Sequence, residues 1–149
     1  MKHLNNIPLK NFSTYRIGGT AEDIYFPENI EEMADIIRHH RDIGQTFWVH
    51  GGGANTLFPD GEIRIPVIST SEMAATRRDG QTLYAEAGKI MDAWVLEALR
   101  DGLGGVECLS GIPGTLGGAL FMNAGAYGHE ISDQLVSVTI LNADNEIEE

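Results

Sequence analysis

A chain of 149 residues holds one ordinary core, with room for two lobes and not for two independent domains. Its 22 Asp and Glu against 10 Lys and Arg leave a formal net charge of −12, which repels nucleic-acid phosphates and anionic lipid surfaces. Cys108 is the single cysteine, so no internal disulfide framework exists. In "GGVECLSGIPG" it reads as a small half-buried side chain without a catalytic role. The opening "MKHLNNIPLKNF" carries neither a signal-peptide apolar run nor a transit pattern, and no later segment approaches membrane-spanning length. A cytoplasmic location is the resulting expectation.

"EDIYF", Glu22 to Phe26, reads as a short strand. Asn29 then caps a helix with Glu32 three positions on, and Ile30, Met33, Ala34 and Ile37 form its apolar stripe until Gly44 stops it. "TFWVH", Thr46 to His50, is a second strand, which places the run Gly51–Gly53 at the carboxyl end of a β-α-β unit, where ligands of α/β units gather. "IRIPVIST" reads as a strand, and "AATRR" with "QTLYAEAG" as a hairpin turning at Asp79-Gly80. A second helix, Met91 to Arg100, points Met91, Val95, Ala98 and Leu99 inward and ends at Gly102. "VSVTILNADNEIEE" alternates as a strand, turns at Asp144-Asn145 and starts a return strand.

Several chemistries are excluded by spacing. A GxGxxG dinucleotide fingerprint starting at Gly51 needs glycine where Thr56 stands, and one starting at Gly102 needs it where Glu107 stands. The single Gly-Lys pair, Gly88-Lys89, precedes Ile90 and so makes no P-loop. His3, His39, His40, His50 and His129 form no metal-ligand spacing. The neighbouring His39 and His40 diverge by about 100° on a helix and read as surface or helix-end residues. Ser110 lies in no nucleophile elbow.

Backbone chemistry remains. "HGGGANTLF" and "SGIPGTLGGALFMNAGAYG" are two glycine-rich turns able to direct several N–H groups at one anion, with a short helix starting at Thr115 adding its positive end. A diphosphate fits between two such turns. Amide dipoles can hold it without a side-chain cation, and glycine permits close approach. For any single Gly-Gly pair a plain turn explains as much.

The order of these segments decides. "NFSTYRIGGTAEDIYFP", "HGGGANTLFPDG", "GLGGVECLSGIPGTLGGALFMNAGAYGHEISD" and "VTILNADNEI" together resemble the flavin-binding half of the UDP-N-acetylenolpyruvoylglucosamine reductase family, also called UDP-N-acetylmuramate dehydrogenases. The resemblance covers nearly the whole chain. It implies an α+β, two-lobed FAD-binding fold of the vanillyl-alcohol-oxidase-like (PCMH-type) flavoproteins, with lobes of roughly 1–70 and 71–149 forming one FAD-binding domain. The diphosphate would lie against Gly51–Asn55 and Gly111–Gly118.

Position by position, the resemblance assigns Gly51, Gly52, Gly53, Ala54, Asn55 and Thr56 to the first FAD loop. Ala54 stands where the family more often has serine and so drops one hydroxyl. Ile112, Pro113, Gly114, Thr115, Gly117, Gly118 and Ala119 fall in the second loop, and Asn123, Gly125, Ala126 and Tyr127 in the segment lining the flavin ring. Read by themselves, Tyr127 is a packed aromatic, Asn123 a satisfied helix-end amide and Glu107 a carboxylate tying loop amides together. Arg16 suits either a fold-holding role or one beside the flavin.

The family activity, implied only by this resemblance, uses NADPH and FAD to reduce the enolpyruvyl group of a UDP-sugar in peptidoglycan precursor synthesis. The family's Tyr-Arg-x-Ser segment, its proton-donating serine or cysteine and its late glutamate lie beyond the position equivalent to Glu149. The resemblance therefore places no catalytic residue here and implies that the UDP-sugar-binding domain is carried outside this chain. A stand-alone FAD module and an inactive remnant are the alternatives. No metal, nucleic-acid or membrane partner is expected.

Overall fold

A computed structural model describes residues 1–149. Its main sheet is built from β1 (Lys2–Pro8), β2 (Thr20–Phe26), β3 (Trp48–His50), β4 (Glu62–Ile63) and β5 (Val67–Ser69). The order is β1-β2-β5-β3, with β4 also pairing β2. β1 runs antiparallel to β2, and the remaining pairings are parallel. β5 is buried at all three positions, as befits a central parallel strand covered on both faces.

Helix α1 (Ile30–Asp42) connects β2 to β3. Asn29 Oδ1 accepts the Glu32 N–H at 2.9 Å, the cap the sequence calls for. At the other end Gly44 takes a left-handed φ of 66° while Gln45 N–H reaches back to the His40 carbonyl, closing the helix. The buried stripe is Ala34, Ile36, Ile37 and His40, rotated from the expected Ile30, Met33, Ala34 and Ile37. His40 is therefore a core residue and not a surface one. It is 3% exposed, bonds Gln45 Oε1 through Nδ1 at 2.9 Å and packs edge-on against Tyr25.

The expected strand "IRIPVIST" is broken into β4 and β5 by Pro66, which cannot donate to a ladder. β1 escapes a pattern reading because "KHLNNIP" alternates poorly; its partner β2, with Ala21, Ile24 and Phe26 buried, recruits it. The hairpin β6 (Thr76–Asp79) and β7 (Thr82–Ala85) forms as expected, but Asp79 pairs with Thr82, so the two-residue turn is Gly80-Gln81.

Helix α2 (Met91–Arg100) buries Met91, Val95 and Ala98 together with Val106, Leu109, Leu116, Ala119 and Ile131. Leu99 does not join them; at 41% exposure it has turned past the edge of that face. Helix α3 (Leu116–Met122) follows the second glycine loop, and then come the short ladders β8 (Gly125–Ala126) with β9 (His129–Glu130) and β10 (Ile140–Leu141) with β11 (Ile147–Glu148). The long strand expected from Val136 is reduced to β10, because Val136 is 80% exposed and has no neighbouring strand. The turn does lie at Asp144-Asn145, with Asn145 at a φ of 65°. Leu9, Ala21, Ile24, Phe26, Phe58, Ile63 and Val67 form a second apolar cluster under the main sheet.

Candidate functional site

The carboxyl end of β3 leads directly into Gly51–Asn55, and this loop lies against the second glycine loop. A Cβ on Gly52 would stand 2.7 Å from Gly114 Cα, and one on Gly51 would stand 2.6 Å from Thr115 Oγ1. Gly53, at a φ of 67°, fits beneath Phe12, whose carbonyl oxygen a Cβ would meet at 2.0 Å. Three backbone segments thus meet where only glycine allows them to. Because Gly52 and Gly114 touch, no gap separates the two loops at that point; a ligand would lie across them, not between them.

The N–H groups of Gly51, Gly52, Gly53, Ala54 and Asn55, and those of Gly114 and Thr115, donate to no atom of the chain. The Thr115 hydroxyl is buried without a hydrogen-bond partner, the residue being 3% exposed. A buried hydroxyl without a partner beside a run of free amides fits a ligand that accepts hydrogen bonds. The amides at the start of α3 behave differently from expectation. Leu116 N–H is taken by the Lys89 carbonyl and Gly117 N–H by the Ala87 carbonyl, both at 2.8 Å, so the positive end of this helix is committed to its own chain. Gly111 N–H is likewise held, by Asp92 Oδ1 at 2.6 Å.

A cleft of about 820 Å³ opens beside the joined loops and includes Gly51, Gly52 and Thr115 in its wall. Its size suits a cofactor-sized molecule. Another wall is built from residues 10–16, between β1 and β2, of which the sequence offered only Arg16 as a possible neighbour of the flavin. Phe12 carbonyl accepts from His50 Nε2 at 2.8 Å, Thr14 N–H donates to the Gly53 carbonyl at 3.1 Å, and Ser13 Oγ donates to the Thr56 carbonyl at 3.4 Å. His50 is 4% exposed, and burial holds its pKa below the ordinary histidine value against the opposing pull of the Phe12 carbonyl. Lys10 and Arg16 line the cleft on this side, while Ser69, Ser71, Gly88 and Ile90 complete the other. The parts played by Phe12, Ser13 and Thr14 follow from what Gly53 packs against, which no motif records.

The remaining expected residues are distributed unevenly. Ala54 meets Gly114 from the side, since a Cβ on Gly114 would lie 3.3 Å from that of Ala54, and Asn55 Nδ2 points to Met122 Sδ at 3.5 Å. Ile112 and Ala119 belong to the α2 cluster, and Pro113 and Gly118 are exposed beside the loop. Gly117 has no room for a Cβ, which would fall 2.8 Å from Ala87 Cβ. Asn123 caps α3 at a φ of 45° and donates to Glu130 Oε2 at 2.6 Å. Gly125 and Ala126 form β8, and Tyr127, at 90% exposure, turns the chain into β9. None of these last four lines the cleft. Glu107 accepts the Gly105 N–H at 2.7 Å, tying its own loop. No helix is long and apolar enough to cross a membrane, and no group of His, Cys, Asp and Glu could hold a metal ion.

This geometry has known counterparts. A sequence family described as an FAD binding domain matches residues 21–149. The UDP-N-acetylenolpyruvoylglucosamine reductase of Caldicellulosiruptor saccharolyticus is 37% identical over 144 residues, 97% of this chain and 46% of the relative. The crystal structure of the enzyme of that name from Thermus caldophilus superposes with a TM-score of 0.78 at 31% identity, covering 99% of this chain and 50% of that one. A glycopeptide hexose oxidase, 22% identical with a TM-score of 0.67 over 99% of this chain and 33% of that chain, shares the α+β fold of PCMH-type flavoproteins. The chain spans about half the length of the curated relatives it matches. The match over residues 21–149 and the shared fold show that the chain belongs to the FAD-binding domain family.

Proposed function

We propose that this chain is the FAD-holding portion of a reductase that uses NADPH to reduce UDP-N-acetylglucosamine enolpyruvate to UDP-N-acetylmuramate, in cytoplasmic peptidoglycan precursor synthesis that supports the cell wall and cell shape. The observation carrying the reading is the joined pair of glycine loops, which hold seven unpartnered amides and the buried, unpartnered Thr115 hydroxyl, and of which Gly51, Gly52 and Thr115 form part of the cleft wall. These donors fit a diphosphate, an acceptor-only group that rewards several convergent N–H bonds. Gly51–Asn55, Gly114 and Thr115 would hold it. When bound, FAD supplies hydride-transfer chemistry, while the protein supplies position and electrostatics.

Within this reading the chain is one cofactor domain of two lobes, roughly 1–70 and 71–149, supported by the separate apolar clusters around Ile24 and Val95. Leu141 is an exception to a strict division, since it packs beside Ile36, Ile37 and Ile68. The residues themselves do three things. They present amides, they keep the loops in contact through glycine, and they remove His50 from water so that it stays neutral. Substrate protonation and UDP-sugar binding are assigned to the portion of the relatives that this chain does not span.

The test is titration of the purified chain with FAD and FMN, followed by flavin fluorescence, together with an anaerobic assay for UDP-N-acetylmuramate. Tighter binding of FAD than FMN and no steady-state product from the isolated chain are expected. Equal or tighter FMN binding overturns the two-loop assignment. Turnover like that of an intact reductase overturns the division of labour, whereas FAD binding without product even when a substrate-binding partner is supplied would favour a stand-alone flavin module.

A further inference from the structure

We propose that Lys10 and Arg16 form a cationic rim that draws in and holds the diphosphate of FAD, making the cleft select a charged flavin over an uncharged one; this rests on the FAD reading above. The chain has 22 carboxylate residues and 10 cationic ones, yet the cleft wall contains two cations and no carboxylate. That reverses the balance of the whole molecule in the cleft whose wall includes Gly51, Gly52 and Thr115.

Five of the other eight cations meet a carboxylate, Arg41 is bonded to Asn142 and Asn145, and Lys2 lies over the Phe26 ring. Arg38 meets Asp35, Arg64 meets Glu62, Arg77 meets Asp79, Arg78 meets Asp101 and Lys89 meets Glu97. Lys10 and Arg16 have no carboxylate within 4.0 Å, although acidic side chains outnumber basic ones twofold. Nor is their segment loose. Leu9 is fully buried and donates its N–H to the Gly19 carbonyl at 2.8 Å, and Arg16 N–H closes onto the Ser13 carbonyl at 3.1 Å. With the Phe12, Ser13 and Thr14 contacts already described, the two cations are carried on a backbone fixed to the first glycine loop. Two like charges held on one wall repel each other and any further cation, and an anion relieves both. In a protein of net charge −12, such a local positive field also speeds the entry of an anionic ligand.

The experiment uses the flavin-free chain, with FAD, riboflavin and inorganic pyrophosphate as probes, at about 50 and about 300 mM salt. For the unaltered chain, FAD affinity falls several-fold with salt while riboflavin affinity does not, and pyrophosphate raises Tm. Lys10→Gln and Arg16→Gln each weaken FAD by about tenfold and leave riboflavin within about twofold. The double variant loses both the salt dependence and the pyrophosphate shift. Arg16→Lys keeps most of the affinity, which separates charge from any structural role. Both side chains are exposed, so folding is checked simply by circular dichroism. FAD binding by the unaltered chain with unchanged affinity and salt dependence in the double variant overturns the rim alone. Failure of the unaltered chain to bind FAD at all overturns the flavin reading, and the rim with it.

Discussion

Gly52 presses on Gly114 so closely that a Cβ on Gly52 would lie 2.7 Å from Gly114 Cα and 3.1 Å from Thr115 N. The contact welds two turns that are 62 positions apart in sequence into one donor array. Enlarging Gly52 must push the loops apart, because backbone atoms and not a flexible side-chain tip stand in the way. Overpacking of this kind costs about 1–3 kcal/mol. Gly52→Ala is therefore expected to weaken FAD binding by about tenfold, and Gly52→Val to abolish it, with the far-ultraviolet spectrum kept. Unchanged affinity in a folded Gly52→Val protein would show that the loops act separately.

His50 ties the same loop to the wall opposite. Its Nε2–H donates to Phe12, and burial holds its folded pKa below that of the unfolded chain. Burial thus favours the neutral imidazole. This contribution to stability is complete above the unfolded value of 6.5 and is lost as pH falls from there toward the lowered folded value. Removing the hydrogen bond while keeping an apolar body, as in His50→Leu, should cost about 1–3 kcal/mol at neutral pH by leaving the Phe12 carbonyl unpaired. The difference in Tm between the parent and this variant should narrow as pH drops from 7 to 5.5. A difference that widens on acidification would mean that His50 is charged in the folded state.

Much of this site could be read in advance because its signals are local. Asn29 with Glu32 and Gly44 bracket α1, and the two glycine turns announce themselves by composition. What escaped had causes outside the local pattern. β1 exists because β2 offers it a buried edge, and Phe12, Ser13 and Thr14, unlike Arg16, enter the cleft wall only because Gly53 leaves space beneath Phe12. His40 is drawn inward by a rotation of α1 that places Ile36, Ile37 and His40 over the sheet. The commitment of the Leu116 and Gly117 amides depends on residues 87–89 running alongside α3, a pairing across nearly thirty positions that no helix rule contains.

Arg41 and Arg38 fasten the final hairpin to α1. Arg41 Nη1 donates to the Asn142 carbonyl at 2.9 Å and to Asn145 Oδ1, and Arg38 Nη2 donates to the Asn145 carbonyl at 3.0 Å. β10 and β11 pair over only two positions each, so these bonds carry most of the docking. Charge-assisted hydrogen bonds contribute about 1.5–3 kcal/mol each at best, and less when exposed. Arg41→Met should therefore raise the rate of proteolytic cleavage within residues 135–149 by about tenfold while leaving global Tm nearly unchanged. If the double replacement of Arg38 and Arg41 leaves cleavage unaltered, Leu141 packing alone holds the hairpin.

Lys89 and Glu97 set the position of residues 87–89, a strap against which the second glycine loop enters α3. Lys89 Nζ donates to Glu97 Oε2 at 2.7 Å, and the Thr76 hydroxyl donates to Glu97 Oε1, joining β6, the strap and α2. The strap's backbone then takes Leu116 N–H and Gly117 N–H, while Gly88 is pinned against Thr70, whose carbonyl oxygen a Cβ would meet at 1.8 Å. The Lys89 ammonium first, and the Thr76 hydroxyl second, hold the Glu97 carboxyl below its ordinary value near 4.5. A lowered carboxyl pKa gives stability that is complete above the unfolded value and disappears as pH falls through the folded one. The Glu97 side chain is 34% exposed, so solvent screens the pair and the effect on overall stability is modest. Glu97→Gln should accordingly lower Tm above pH 5 by a constant few degrees, with the difference from the parent shrinking below pH 4.5. It should also speed hydrogen exchange at the Leu116 and Gly117 amides more than at those of β2, measured by exchange mass spectrometry or NMR. Uniform acceleration throughout the chain would make Glu97 a general stabiliser, with no special hold on the loop at Thr115.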